Sequence, residues 1–217
     1  VPQPPGLSPR EVLERMRRGV PLIDGRKRDA FARAHINGSF NVELDNSFAT
    51  YLGWILPFNV PLMILIEDED GRREAVVQMM RIGYERVEGY LNGGLSAWQA
   101  AALPTGQFEI ADIQTLYQRW SRQEPFIIVD VRRPDEWQKG YIPGAWHCHI
   151  GNLPQRIQDL PTDQPLMTIC QSGYRAEIAA SMIAASGREV IAVRGGMEDW
   201  MKMGLPIVRG EEEAGLS

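Results

Sequence analysis

The stretch Leu166-Met-Thr-Ile-Cys170-Gln-Ser-Gly-Tyr-Arg175 reads as a strand, a tight turn and the start of a helix. A short apolar run bounded by a polar turn suits a strand covered on both faces. Beyond it, Glu177-Ile-Ala-Ala-Ser-Met-Ile-Ala-Ala-Ser186 has a helical pattern, and Gly187 supplies its C-terminal stop. Cys170 therefore stands where a strand ends, and in parallel α/β sheets ligand sites gather at the carboxyl ends of strands. A glycine and small or polar residues let the backbone N–H groups of the turn point inward as an anion nest. The helix that follows contributes the positive end of its dipole, and Arg175 adds a full charge. All three effects favour a thiolate over a thiol, and the same surroundings suit an anionic donor. A buried apolar cysteine, the plain alternative, does not require the Gly-Tyr-Arg turn.

Two further runs, Phe126-Ile-Ile-Val129 and Val190-Ile-Ala-Val193, read as buried strands, and Ser8 and Asp112 as helix N-caps. Strands alternating with helices predict a parallel α/β sheet. The pattern occurs twice. Leu22-Ile23-Asp24-Gly25-Arg26 resembles Ile128-Val129-Asp130-Val131-Arg132, and Phe31, Ile36 and Gly38 match Trp137, Ile142 and Gly144. Leu62-Met63 pairs with Leu166-Met167, Gly83 with Gly187, Gly93-Gly94 with Gly195-Gly196, Trp98 with Trp200, and Leu103-Pro104 with Leu205-Pro206. The order is kept over most of each half, so two similar domains are expected, at 7–104 and 109–208, each with its own core. The joint falls near Pro104-Thr105-Gly106-Gln107, and the acidic end, 209–217, is expected to be a disordered tail.

A net charge of −5 and a pI near 5.3 argue against nucleic acid or an anionic membrane as a partner held by bulk charge. No apolar run approaches a membrane span, and no secretory signal is visible. The only two cysteines, Cys148 and Cys170, do not form a disulfide framework, so a reducing cytoplasm is the expected location. The chain begins at Val1 rather than at an initiator methionine, as a trimmed or processed fragment would.

In both copies the sequence resembles the rhodanese family. The resemblance rests on Asp130-Val-Arg132, Glu136-Trp137 and Gly140-Tyr-Ile-Pro-Gly-Ala145, then on Cys170-Gln-Ser-Gly-Tyr-Arg175 and Gly195-Gly196 with Trp200. It implies two rhodanese-like α/β domains, each a mostly parallel five-stranded sheet flanked by helices, and a sulfurtransferase working without a cofactor. By the same resemblance Cys170 is the nucleophile that carries a persulfide. The backbone of Gln171, Ser172, Gly173, Tyr174 and Arg175 cradles the sulfur, Arg175 helps to bind an anionic donor, and Asp130 and Arg132 form a structural pair. The donor would be thiosulfate or a low-molecular-weight persulfide, and the acceptor a thiol or cyanide. Related phosphatases and arsenate reductases place five residues between Cys and Arg, whereas four separate Cys170 from Arg175 here. The tighter loop favours sulfur over phosphate. A non-catalytic scaffold or a redox- or persulfide-sensing module is the other alternative. The pattern also resembles the C-terminal part of fusions in which a metallo-β-lactamase-type persulfide dioxygenase precedes two rhodanese domains. Such a domain is an expected fused or associated partner, and a homo-oligomer is a further expectation.

The first copy has no cysteine, and Glu67-Asp68-Glu69-Asp70 fall in the matching turn. That copy is expected to be inactive, and its carboxylates are read as a solvated acidic turn rather than a cation site, because they lack the spacing of a calcium loop. His147-Cys148-His149 does not read as a metal site: on a strand, the two histidines share one face and Cys148 takes the other. The apolar segment from Ser47 to Phe58 reads as a connecting segment that covers the other domain or another subunit.

Overall fold

The computed structural model describes residues 1–210, so residues 211–217 of the expected tail lie outside the described residues. The chain divides into two compact units, Val1–Gln107 and a second beginning at Phe108. The first unit runs β1 (Gly6–Leu7), α1 (Pro9–Arg17), β2 (Leu22–Asp24), α2 (Arg28–Arg33), β3 (His35–Ile36) and β4 (Phe40–Asn41). It continues through α3 (Phe48–Ile55), β5 (Leu62–Leu65), α4 (Glu69–Arg81), β6 (Val87–Leu91), α5 (Gly94–Ala100) and β7 (Thr105–Gly106). Five strands form a parallel sheet in the order β1-β6-β5-β2-β4, while β3 and β7 pair antiparallel beside it.

The second unit runs β8 (Glu109–Ala111), α6 (Ile113–Ser121), β9 (Ile127–Asp130), α7 (Pro134–Trp137), β10 (Trp146–His147) and α8 (Leu153–Arg156). It ends with β11 (Leu166–Ile169), α9 (Tyr174–Ala185), β12 (Val190–Val193) and α10 (Met197–Lys202). Its sheet is also parallel, in the order β10-β9-β11-β12-β8. The central strands β5 and β11 are buried at every residue and show no polar alternation, as strands covered on both faces must be. Parallel neighbours cannot be joined by tight hairpins, and the helices supply the crossovers.

Local chemistry sets the element ends. Ser8 caps α1 in a reciprocal box with Glu11: its oxygen accepts the Glu11 N–H, and the Glu11 carboxylate accepts the Ser8 N–H at 2.8 Å. Asp112 caps α6 by accepting the Thr115 N–H at 2.7 Å. The repeat is kept at the level of single bonds. Trp98 and Trp200 are both buried, and each donates its indole N–H to the carbonyl of the proline six residues on, Pro104 and Pro206. Among the described residues, no helix is long and apolar enough to cross a membrane.

Two local expectations are corrected. The apolar segment from Ser47 to Phe58 is not a plain connection. It folds into α3, which packs against α4, because Phe48, Leu52 and Ile55 fall on one helical face and are buried. Phe58 beyond it stays 77% exposed. The strand through His147 ends there: β10 pairs Trp146 and His147 with Val129 and Asp130, and His149 is already the residue that leads into a short 3₁₀ turn.

Candidate active site

β9, β11 and β12 end side by side, and the turns that leave them build the site. Ile169, the last residue of β11, lies in register with Asp130, the last of β9, and the Val131 N–H donates to the Ile169 carbonyl at 2.9 Å. Cys170 follows at once and is 1% exposed. Its Sγ accepts the backbone N–H of Gly173 at 3.0 Å, so the turn closes around the sulfur. Gly173 holds φ of +101°, a left-handed conformation that a side chain would strain.

The outside of the turn is fixed by α10. Its Met197 and Glu198 N–H groups donate to the carbonyls of Cys170 and Gln171, at 2.9 and 3.2 Å. In a trans peptide the N–H points opposite to the carbonyl, so the following N–H groups are turned away from α10. Gly196 makes this approach possible, because a Cβ there would overlap the Cys170 and Gln171 carbonyl oxygens. Gly195 also packs against the turn: its backbone N and O lie 3.1 and 3.0 Å from where a Gly173 Cβ would stand.

Ser172, Gly173 and Tyr174 carry the chain into α9, and Arg175 occupies its first turn. Arg175 is only 12% exposed, and its two terminal nitrogens donate to the two oxygens of Glu136, at 2.7 and 2.8 Å. Glu136 also accepts the Arg133 N–H at 3.0 Å. The Arg175 guanidinium holds the Glu136 carboxyl at about 2, far below its ordinary value of 4.5. Arg175 is thus tied to α7 and braces the start of α9, a role that its position in the sequence does not reveal. Glu136 is the functional neighbour that sequence reasoning named without a role. Its signal is the helix start Arg133-Pro-Asp-Glu136, where an N3 glutamate caps backwards.

Asp130 and Arg132 form a fully buried pair. Arg132 Nε and Nη2 donate to the Asp130 carboxylate, at 2.7 Å for the closest contact, and Nη2 also donates to the Gly140 carbonyl at 2.9 Å. The His147 Nε2–H donates to the Arg132 carbonyl at 2.8 Å, and its ring stacks on Trp137. Burial and then the Arg175 charge push His149 below its ordinary value, so it is neutral at neutral pH. Among the described residues, no group of three or more histidine, cysteine or acidic side chains is placed to hold a metal ion.

Cys148 is buried, and burial pushes its thiol upward. Strand register fixes its distance from Cys170. His147 and Ile169 flank the same residue, Asp130, from opposite sides, and each cysteine follows its strand by one residue. Two strand spacings put their Cα atoms about 10 Å apart, whereas a disulfide needs less than about 7 Å.

The first unit keeps the scaffold and replaces the chemistry. Leu65 lies in register with Asp24 as Ile169 does with Asp130, so Ile66 stands in the place of Cys170. Its side chain fills the space over Gly25, where a Cβ would come within 2.8 Å of Ile66 Cγ1. Only Ile66 and Glu67 lie between β5 and the N-cap Asp68, against Cys170, Gln171 and Ser172 before the N-cap Gly173, so this turn is one residue shorter. Of the four carboxylates expected in the turn, Glu69 and Asp70 lie within the first turn of α4, where the helix dipole favours acids. Asp68 accepts the Gly71 N–H at 2.6 Å, and Arg72 donates to the carbonyls of Ile66 and Glu67 while lying over the Tyr90 ring. The buried pair survives as Asp24 and Arg26, at 2.7 Å.

A parallel α/β unit with a cysteine-centred turn at the carboxyl ends of its central strands is the class of domain that the fold and the site define. The family model of the rhodanese-like domain matches residues 8–101 and again 112–203, and the chain belongs to that family. It is 35% identical over 101 residues to a sulfurtransferase of Allochromatium vinosum, covering 46% of this chain and 94% of that protein. It is 32% identical over 94 residues to a putative sulfurtransferase of Bacillus subtilis, covering 42% of this chain and 91% of that one. Among solved structures, a rhodanese-related protein from Thermoplasma volcanium matches 48% of this chain and all of its own, at 25% identity and a TM-score of 0.44.

Proposed function

We propose that the second unit is a sulfurtransferase and that Cys170 carries the sulfur as a persulfide. The observation that carries this reading is the turn closed on the Cys170 sulfur by the Gly173 N–H. With thiosulfate as donor, the Cys170 thiolate attacks the sulfane sulfur. The sulfur–sulfur bond of thiosulfate breaks, sulfite leaves with the electron pair, and a cysteine persulfide forms. A thiol or cyanide then takes the outer sulfur and regenerates the thiolate. A low-molecular-weight persulfide can serve as donor by the same exchange, with a thiolate leaving.

The first unit, with Ile66 at the matching place, is catalytically inactive in this reading. Retention of the complete turn in only one of two otherwise similar units favours catalysis over a scaffold or a sensor. The short Cys–Arg spacing favours sulfur over phosphate or arsenate. Two free thiols suit a reducing compartment such as the cytoplasm. A metallo-β-lactamase-type persulfide dioxygenase domain, fused or associated, is the proposed partner.

The test is thiosulfate-to-cyanide transfer by the chain beside Cys170→Ala and Cys148→Ala, with phosphoester and arsenate turnover in parallel. Activity lost only with Cys170→Ala supports the reading. Phosphoester turnover without sulfur transfer overturns it.

A further inference from the structure

We infer that Thr168 is a positioning residue for sulfur uptake at Cys170; the inference rests on the sulfur-transfer reading above. β11 is an apolar strand with one exception: among Leu166, Met167, Thr168 and Ile169, only Thr168 carries a polar side chain, and it is 0% exposed. It lies at the centre of the sheet, in register with Val129 of β9 and Ala192 of β12. Packing there asks only for the shape of a valine, and a hydroxyl withdrawn from water without a partner is costly. The Thr168 hydroxyl has a partner: it donates to the Ala176 carbonyl in the first turn of α9, at 2.7 Å. That carbonyl does not need a further donor, because within α9 it already accepts the N–H four residues on. The bond is therefore a geometric link between β11 and α9 across the cysteine turn.

The two elements it joins are the two arms of that turn. Thr168 precedes Cys170 by two residues in the chain, and Ala176 follows Gly173 by three. Gly173 is the N-cap of α9, and its N–H donates to the Cys170 sulfur at 3.0 Å. Only Cys170, Gln171 and Ser172 separate β11 from that N-cap, so a shift of α9 along β11 moves the Gly173 N–H relative to the sulfur. The residues on either side of Ala176 are tied as well. Arg175 is bound to Glu136 of α7, and Arg194, just past β12, donates through Nε and Nη2 to the Glu177 carboxylate, at 3.3 and 3.2 Å. Three consecutive residues of α9 are thus held from three directions, and Thr168 supplies the tie that comes from the cysteine's own strand.

The first unit separates this role from that of the scaffold. Ile64 pairs with Ile23 as Thr168 does with Val129, so the hydroxyl is absent in the unit where Ile66 replaces Cys170. Asn92 donates to the Leu7 carbonyl as Arg194 does to that of Ala111, and Ala30 falls where the repeat puts Glu136. None of the three groups that make the ties is kept, while the buried Asp–Arg pair persists in both units. The fold does without the ties; the unit that keeps the thiol keeps them.

The test is single-turnover sulfur uptake by Cys170 from thiosulfate, in the full chain beside Thr168→Val and Thr168→Ser. Valine keeps the shape and removes the hydroxyl; serine keeps the hydroxyl and removes a methyl group. Ile64 shows that an apolar side chain suits this strand position, so Thr168→Val is expected to fold. Rates are read at a temperature where thermal unfolding shows all three chains folded. Thr168→Val is expected to lower the rate at saturating thiosulfate by about tenfold, the size of a sub-ångström misplacement, and to change the half-saturating concentration by less than about twofold. Thr168→Ser recovers most of the rate although it leaves a small cavity. Hydrogen exchange of the Gly173 amide, read by NMR, speeds up in Thr168→Val and not in Thr168→Ser. An unchanged saturated rate or unchanged Gly173 exchange in Thr168→Val overturns the assignment. An equal loss of rate in Thr168→Ser makes Thr168 a packing residue and also overturns it. If the unsubstituted chain takes up no sulfur from thiosulfate or a low-molecular-weight persulfide, the sulfur-transfer reading itself falls, and the assignment falls with it.

Discussion

Replacing Glu136 by glutamine isolates the brace on the cysteine turn. Glutamine keeps the shape and removes the charge that pairs with Arg175. Lowering the Glu136 carboxyl from 4.5 to about 2 corresponds to about 3 kcal/mol of preference for the folded, ionised form. Both side chains keep some contact with water, at 12 and 13% exposure, and discounting for that screening leaves about 2 kcal/mol. The sign is fixed by linkage. A depressed carboxyl stabilises the fold above its unfolded value of about 4.5 and loses that contribution as pH falls toward about 2. Urea unfolding, followed by tryptophan fluorescence at a series of pH values, reads this directly, with the second unit's transition taken as the one the substitution moves. Glu136→Gln should be less stable by about 2 kcal/mol at pH 7, and the gap should close between pH 4.5 and 2. The variant should also take up sulfur more slowly, because α9 carries the turn. A gap that stays constant across that pH range would refute the reasoning.

Gly196→Ala places a methyl group against the Cys170 and Gln171 carbonyls; it should cost about 1–3 kcal/mol in thermal unfolding and slow sulfur uptake at least about tenfold. Ile66→Cys in a Cys170→Ala background should restore no transfer, since its turn is one residue short and carries Glu67 and Asp68; measurable thiosulfate-to-cyanide transfer would contradict the account of the first unit. Cys148→Ala should keep sulfur uptake, and mild oxidation of the native chain should form no Cys148–Cys170 disulfide, which peptide mapping under non-reducing conditions would detect.

The cysteine turn was legible because three signals coincide there: an apolar run, a Gly at the turn and a helical pattern beyond it. Ser8 and Asp112 were equally legible, since capping is a local contest between side-chain oxygens and backbone N–H groups. The repeat carried the rest of the fold, because matched tryptophans and glycines mark matched packing. What sequence left hidden was pairing between elements. Nothing in Cys170–Arg175 shows that Arg175 is taken by a glutamate 39 residues earlier, or that Arg194 reaches back to Glu177. The acidic run in the first unit misled by composition: half of it belongs to α4, where acids are favoured at a helix start. The segment after Ser47 reads as a connection because its aromatic and apolar residues crowd together, and only packing on α4 reveals its helical face.

The most direct test of the central claim is the intact mass of the chain after treatment with thiosulfate, beside Cys170→Ser. The account predicts a gain of one sulfur atom in the unsubstituted chain, none in Cys170→Ser, and loss of the adduct on adding cyanide. A sulfur adduct that persists in Cys170→Ser, or none in either chain with thiosulfate or a low-molecular-weight persulfide, would contradict it.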